Sequence, residues 1–347
     1  MSENPFDHDL PNQISAICDA IDYQPRVVQC IQACNEEALI EPCILQLYDK
    51  VDRIIVIEGA VQSKVDAGQA TPDGHSLDRT VEIIKDVKAN KDPDNKIIFV
   101  QIDRPWESLE ELKATFFQYM QDGDWMLITD ADEFIMPTVV DDLRLAISME
   151  PYATEFVPAG FYHFWRDANH IRKPSGDWGQ QHQRFIRFQP GLQYQNHPVA
   201  RDKDGVCTYF DPRYLARRFV LPSFRVYHYS YCKDSDEEIE KKKAFYDAEL
   251  GQDKHGDVGA YARGGQTDEY VARTEDLDTV LRFDGLHPPA MELHPFVSRK
   301  DEFLAAAEPL VSHMEVAPYN LDRIPLVWIY AVEGRAQYDK FFNVVDV

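Results

Sequence analysis

The densest concentration of reactive side chains is Asp130-Ala131-Asp132-Glu133, three carboxylates within four positions. Met126-Leu127-Ile128-Thr129 precedes it and is apolar-biased, so the cluster closes a buried strand. Like charges a few ångströms apart raise one another's pKa unless a cation neutralises them. A divalent ion does so, and hard oxygen ligands suit Mg2+ or Mn2+. Residues i and i+2 of a strand share a face, so Asp130 and Asp132 can address one ion. A bare D-x-D also occurs in plain acidic loops, so its weight depends on the elements that carry it.

Those elements alternate. RVVQCIQA (26–33), RIIVIEGA (53–60), NKIIFVQID (95–103) and DWMLITDADEFI (124–135) read as strands rich in β-formers. Between and after them, 38–50, 79–90, 108–122 and 139–148 have apolar residues at helical spacing, with Ser108 and Glu111 as a capping box. This order predicts an α/β fold with a largely parallel sheet and helices on both faces. Ligands of such sheets bind beyond the carboxyl ends of the strands. Asn35-Glu36-Glu37, Glu58 and the Asp130–Glu133 cluster all fall at such ends.

The second half predicts a mixed α+β part. Residues 154–167, 182–188 and 223–231 read as aromatic-rich strands, and 234–250 as a charged helix. Residues 275–283, 298–314 and 320–342 read as partly helical. The Gly-rich stretch 251–273 reads as a mobile loop, a connector or a lid over the site. Arg184 and Arg187, three positions apart on a strand, face opposite sides, so one of them is expected to point at the site, where Arg suits an anion. Lys241-Lys242-Lys243 reads as a solvated helix face. His287 and His294 lie in a Pro-rich stretch that reads as a rigid turn, or as a wall or lid of the site. Trp106, Trp165 and Trp178 could stack on a ligand ring, although burial in the core is the commoner fate of Trp.

Taken together, residues 26 through 134 resemble the catalytic domain of GT-A-type glycosyltransferases, family 2 and its relatives. Four stretches carry the likeness. The first is the opening strand with CNEE (34–37). In RIIVIEGA, Glu58 occupies the acidic strand end that in the family faces the donor nucleotide. DGHSLDRT (73–80), with Asp78, is similar to the family's Asp-Gly-Ser-x-Asp-x-Thr phrase, displaced by an insertion. ITDADEF (128–134) is close to the family's metal-binding motif. The likeness continues more loosely to about residue 250, through HQRFIRF with GLQYQNHP and through VYHYSYCKDSDEEIEKKKAFY.

The resemblance implies a GT-A-like, Rossmann-like catalytic domain over 25–250, with a nucleotide-binding half (25–150) and an acceptor and metal half (151–250). A polar lead-in (1–24) precedes it, and a loop with a helical extension (251–347) follows. The implied activity is inverting, metal-dependent transfer of a sugar from a nucleotide-diphosphate donor, UDP- or GDP-linked, to a glycan, lipid-linked or protein acceptor. Asn35, Glu37, Glu58, Asp78, Asp130 and Arg184 would hold the donor. Asp130 and Asp132 would hold Mn2+ or Mg2+, with His228 matching the family's late histidine ligand; otherwise His228 is a core histidine among tyrosines. Glu58-Gly59-Ala60 replaces the family's Asp-Asp-Gly-Ser turn, and His197-Pro198 replaces its His-Glu pair. The catalytic base therefore stays open among Glu133, Asp167 and Asp177.

Composition excludes other classes. Lys and Arg total 36 against 60 Asp and Glu, a formal charge of -24, which repels nucleic acid and anionic membrane. The 6 cysteines form no C-x-x-C pair, which fits a reducing, cytoplasmic setting. The acidic N-terminus does not read as a signal peptide, and no apolar run reaches the roughly 20 residues of a membrane helix. A sugar-nucleotide-forming nucleotidyltransferase would carry a Gly-rich basic loop after the first strand, where CNEEALIEP stands. A metal hydrolase would carry an H-x-H or H-E-x-x-H cluster. The alternatives are such a nucleotidyltransferase, against which the missing loop counts, and a non-catalytic carbohydrate- or partner-binding module on the same fold.

Overall fold

A computed structural model of the chain describes residues 25–151, 153–165, 167–172, 183–195, 199–201, 218–232, 280–283, 285–298 and 329–330. Val27–Ala33 (β1), Arg53–Glu58 (β2), Ile97–Val100 (β3) and Trp125–Asp130 (β4) pair in parallel in the order β3-β2-β1-β4. A parallel strand covered on both faces must be apolar along its whole length. β1, β2 and β4 are buried almost throughout. One face packs against Ile40–Leu45 (α1), Thr80–Asn90 (α3) and Thr138–Met149 (α5), through Ile44, Ile84, Val87 and Leu143. The other face packs against Leu109–Ala114 (α4) and Trp106, through Leu112 and Phe116. Gln62–Asp66 forms the short helix α2.

Three elements depart from the sequence expectation. The first helix is only Ile40–Leu45, and turns continue through Val51. The helix expected over 108–122 ends at Ala114 and tightens into a 3-10 turn at Thr115–Tyr119. Thr115 Oγ1 donates back to the Glu111 carbonyl at 3.0 Å, and two phenylalanines follow, so local propensity fails there. The capping box is offset: Ser108 Oγ accepts from Glu111 N at 3.2 Å, but the Glu111 carboxylate reaches the amide of Glu107 at 2.7 Å. Finally, 124–135 is two strands. β4 stops at Asp130, Ala131-Asp132 turns, and Glu133–Phe134 (β5) starts again.

The sheet continues antiparallel beyond β4. Phe185–Arg187 (β8) pairs with β4 and with Glu155–Trp165 (β6); β6 pairs with His170–Arg172 (β7), which pairs with Val280–Arg282 (β12). Arg218–Tyr231 (β11) runs parallel to β6 and antiparallel to β5 and to Ile329–Tyr330 (β13). Gln193–Gln195 (β9) and Val199–Arg201 (β10) form a separate pair. Pro289–Glu292 (α6) and Pro295–Ser298 (α7) are single turns of helix. The partly helical reading of 275–283 and of 320–342 is corrected at Val280–Arg282 and Ile329–Tyr330, which are strands because both find partner edges. Asp177, Trp178, His197-Pro198, Lys241–Lys243 and the 251–273 loop lie outside the described residues. Among the described residues no helix is long and apolar enough to cross a membrane.

Candidate functional site

The strand ends converge by register. Gln32 sits opposite Asp130, and Ala33 sits opposite Glu58, so the end of β1 lies between two acidic strand ends. The chain beyond β1 turns at Asn35, whose φ of 58° is left-handed, a conformation Asn tolerates better than most residues.

The acidic turn is held from several sides. Glu133 is buried, and Arg184 forks onto it with Nε and Nη2 at 2.9 and 2.6 Å. The same Nη2 lies 3.6 Å from Asp130 Oδ2, so one guanidinium serves two of the three carboxylates. Arg184 lies over the Phe161 ring, 5.4 Å from its centroid. Burial pushes the Glu133 carboxyl up; Arg184 pulls it down, and Asp130 pushes it further up. Burial opposes the Arg184 charge, but Glu133 and Asp130 outweigh it and raise its pKa. From below, Gln46 donates to the Glu133 carbonyl at 3.1 Å and accepts from Ile135 N at 2.8 Å.

Asp132 faces the other way. Its carbonyl accepts from Tyr229 N at 2.9 Å, and its carboxylate lies 3.6 Å from His228 Nε2. His228 stands opposite Glu133 across β5 and β11, and its Nδ1 meets Nδ1 of His163 at 2.8 Å. One of those nitrogens must carry the proton, so the two rings fix each other's tautomers. Asp132 belongs to the turn rather than to β4. The shared-face argument from strand alternation therefore does not apply to it: Asp130 approaches Arg184, and Asp132 approaches His228.

The loops after β1 and β2 form a second network. Asn35 donates to the Gln69 carbonyl and accepts from Leu77 N, both at 2.7 Å. Asp78 accepts from Glu37 N at 3.0 Å and from Thr80 Oγ1 at 2.5 Å; Glu37 accepts from Arg79 N at 3.2 Å. Glu58 is fully buried. It takes Ser76 N at 2.7 Å, Ser76 Oγ at 2.8 Å and Gln101 Nε2 at 3.2 Å, and lies 3.1 Å from His75 Nδ1. A carboxylate so engaged fixes the 73–80 loop, and His75 is more open than Glu58, with its Nε2 3.6 Å from Asp103.

No family model matches the chain, and no curated protein matches it. Among solved structures, S. aureus TarS 1-349 is similar with 11% sequence identity and a TM-score of 0.37, over 73% of this chain and 77% of that chain. At that overlap the two chains share too little geometry for a comparison of residues.

The residues expected at the site therefore divide. Asp130, Asp132, Glu133, Arg184 and His228 form one cluster; Asn35, Glu37, Glu58 and Asp78 form the adjoining loop network. Arg187 leaves both and donates to the Pro151 carbonyl at 3.1 Å. Asp167 is buried after β6, where it binds Asn169 N at 2.6 Å and His170 Nδ1 at 2.8 Å. Among the described residues, no group of three or more His, Cys, Asp or Glu side chains is spaced to hold a metal ion. Sequence reasoning missed His163, Gln46 and His170. For His163 a signal existed: it alternates with Phe161 on a strand, as two residues of one face do.

Proposed function

We propose that the protein is a nucleotide-sugar-dependent glycosyltransferase working at the Asp130–Asp132–His228 corner. The observation that carries this reading is the junction itself: an acidic turn closing β4, beside the Asn35–Glu37 loop and facing an imidazole 3.6 Å from Asp132. That is the carboxyl-end position where open α/β sheets bind ligands.

The donor set fits Mn2+ or Mg2+ by its chemistry, carboxylate oxygens with one imidazole. Asp130, Asp132 and His228 would hold the ion, which would supply charge neutralisation to a leaving diphosphate. Arg184 pairs with Glu133 beside them and brings its positive charge within 3.6 Å of Asp130. Glu58 and Asn35 set the 73–80 loop against which a nucleoside would lie, with Glu37 and Asp78 tying its far end. UDP- and GDP-sugars are the donor class; the acceptor is a hydroxyl of a glycan, lipid-linked or protein substrate.

The test is diphosphate release from a panel of UDP- and GDP-sugars with Mn2+. Asp132→Ala should abolish turnover while leaving the melting temperature near that of the parent. An active Asp132→Ala protein, or full activity in excess EDTA, sinks the metal-dependent reading. One observation favours a second reading, a non-catalytic sugar- or partner-binding module: the described residues include no ready-made three-ligand cluster. Nucleotide-sugar binding without any turnover would support that module.

A further inference from the structure

Asp167 and His170 form a buried pair that the reading above does not use. Both Asp167 oxygens lie 2.8 Å from His170 Nδ1, and Asp167 Oδ1 also accepts from Asn169 N at 2.6 Å. The carboxylate is thus fixed by the turn after β6, and the imidazole is fixed by the carboxylate. A carboxylate at Nδ1 holds the proton there and presents Nε2 as a lone pair. Among the described residues the His170 side chain has no polar partner besides Asp167.

Register gives the direction in which this pair faces. Phe164 sits opposite Ile171 across β6 and β7, and both pack into the same core. Alternation then places His163 and His170 on the opposite face. Continuing that register makes them diagonal cross-strand neighbours, a spacing of about 7–8 Å. His163 meets His228, and His228 faces Asp132. β6 runs parallel to β11 and antiparallel to β8, which is antiparallel to β4. The ends of β6 and β4 therefore open on the same edge of the sheet. His170 therefore shares a face with His163, whose ring reaches His228 and through it the acidic turn, and it sits beside the end of β6.

We infer that His170, held by Asp167, is the base that deprotonates the acceptor. The step rests on the glycosyltransferase reading above. Nε2 takes the proton of the acceptor hydroxyl as that oxygen's electron pair forms the bond to C1 of the donor sugar. The C1–O bond to the diphosphate breaks, and its electron pair leaves on the phosphate oxygen. The imidazolium is balanced by Asp167 until its proton passes to solvent. Asp167 is then a positioning residue, and His170 replaces it as the group that meets the hydroxyl. His170 is itself buried, so the hydroxyl must enter the cleft to reach it.

The test measures UDP or GDP release from the same sugar panel with Mn2+ and water as the acceptor. His170→Ala should lower kcat by about 100-fold or more with the donor KM little changed, and free imidazole should restore part of the rate. Asp167→Asn should lower kcat without imidazole rescue, since the ring is still present but wrongly oriented. Melting curves of both variants, and His170→Gln as a bulkier replacement, separate lost chemistry from lost folding. Parent-like kcat in His170→Ala, or a loss that imidazole does not rescue and that tracks a lower melting temperature, overturns the inference and leaves the glycosyltransferase reading standing. A parent protein that neither releases diphosphate nor melts higher with UDP or GDP and Mn2+ overturns the glycosyltransferase reading, and this inference with it.

Discussion

Arg184 and Glu133 illustrate how a buried pair can fix a site without adding stability. Two charges taken from water lose hydration that their attraction roughly repays, but removing one partner strands the other. Arg184→Met should therefore cost about 3–5 kcal/mol, because Glu133 would be left buried beside Asp130. The double variant Arg184→Met with Glu133→Gln should lose less than the sum of the two single changes. Urea denaturation of the four proteins gives the coupling directly. Strict additivity would mean that the pair is not coupled. The same logic shows what the sequence alone leaves out at Glu133. Three carboxylates in four positions announce a charge problem, but the guanidinium that answers two of them comes from residue 184, on another strand. No local pattern encodes that distance.

At the scale of elements, the parallel half was legible because its strands are continuous apolar runs separated by helical periodicity. The failures came where tertiary pairing decides, as at Val280–Arg282, or where one side chain unseats a helix, as at Thr115. The 73–80 turn depends on glycine. Gly74 has a φ of 83°, and a Cβ there would stand 2.7 Å from Pro105 Cα, a backbone atom that cannot step aside. Gly74→Ala should destabilise the protein by about 1–3 kcal/mol and loosen Ser76 from Glu58, seen as faster amide exchange over 73–80. Unchanged exchange would place the strain elsewhere. A second element is tied down by a neutral histidine. His294 Nε2 donates to the Ala38 carbonyl at 2.8 Å, and its Nδ1 accepts from Phe296 N at 3.2 Å. Burial lowers its pKa, partly offset by the bond to Ala38. With the folded pKa below the unfolded one, the unfolded chain binds more protons, so stability is present above the ordinary histidine pKa and lost as pH falls. Charging the ring would also turn Nδ1 into a donor facing another donor. Protection factors over 285–298 should drop between about pH 7 and pH 5, and His294→Gln should flatten that dependence. A parent profile as flat as the variant's would remove His294 from the account.

For the whole molecule, a formal charge of -24 means that any salt stabilises it by screening self-repulsion. A rise in melting temperature with MnCl2 would therefore prove little by itself. The informative comparison is MnCl2 against NaCl at matched ionic strength. A specific site adds stability by mass action, about 2.7 kcal/mol when the free ion stands at 100 times its Kd, whereas screening depends on ionic strength alone. If Asp130, Asp132 and His228 hold the ion, the parent should melt a few degrees higher in Mn2+ than in matched NaCl. Asp130→Asn and Asp132→Asn should each erase that difference while keeping the common response to salt. Both replacements are nearly isosteric, and each also removes one negative charge, which should slightly raise the melting temperature in low salt. The expected signature is thus opposite in sign at the two ends of the experiment: variants as stable as the parent or more so without Mn2+, and less stable with it. Parallel curves for the three proteins in both salts would leave screening as the only effect and would remove the metal from the site.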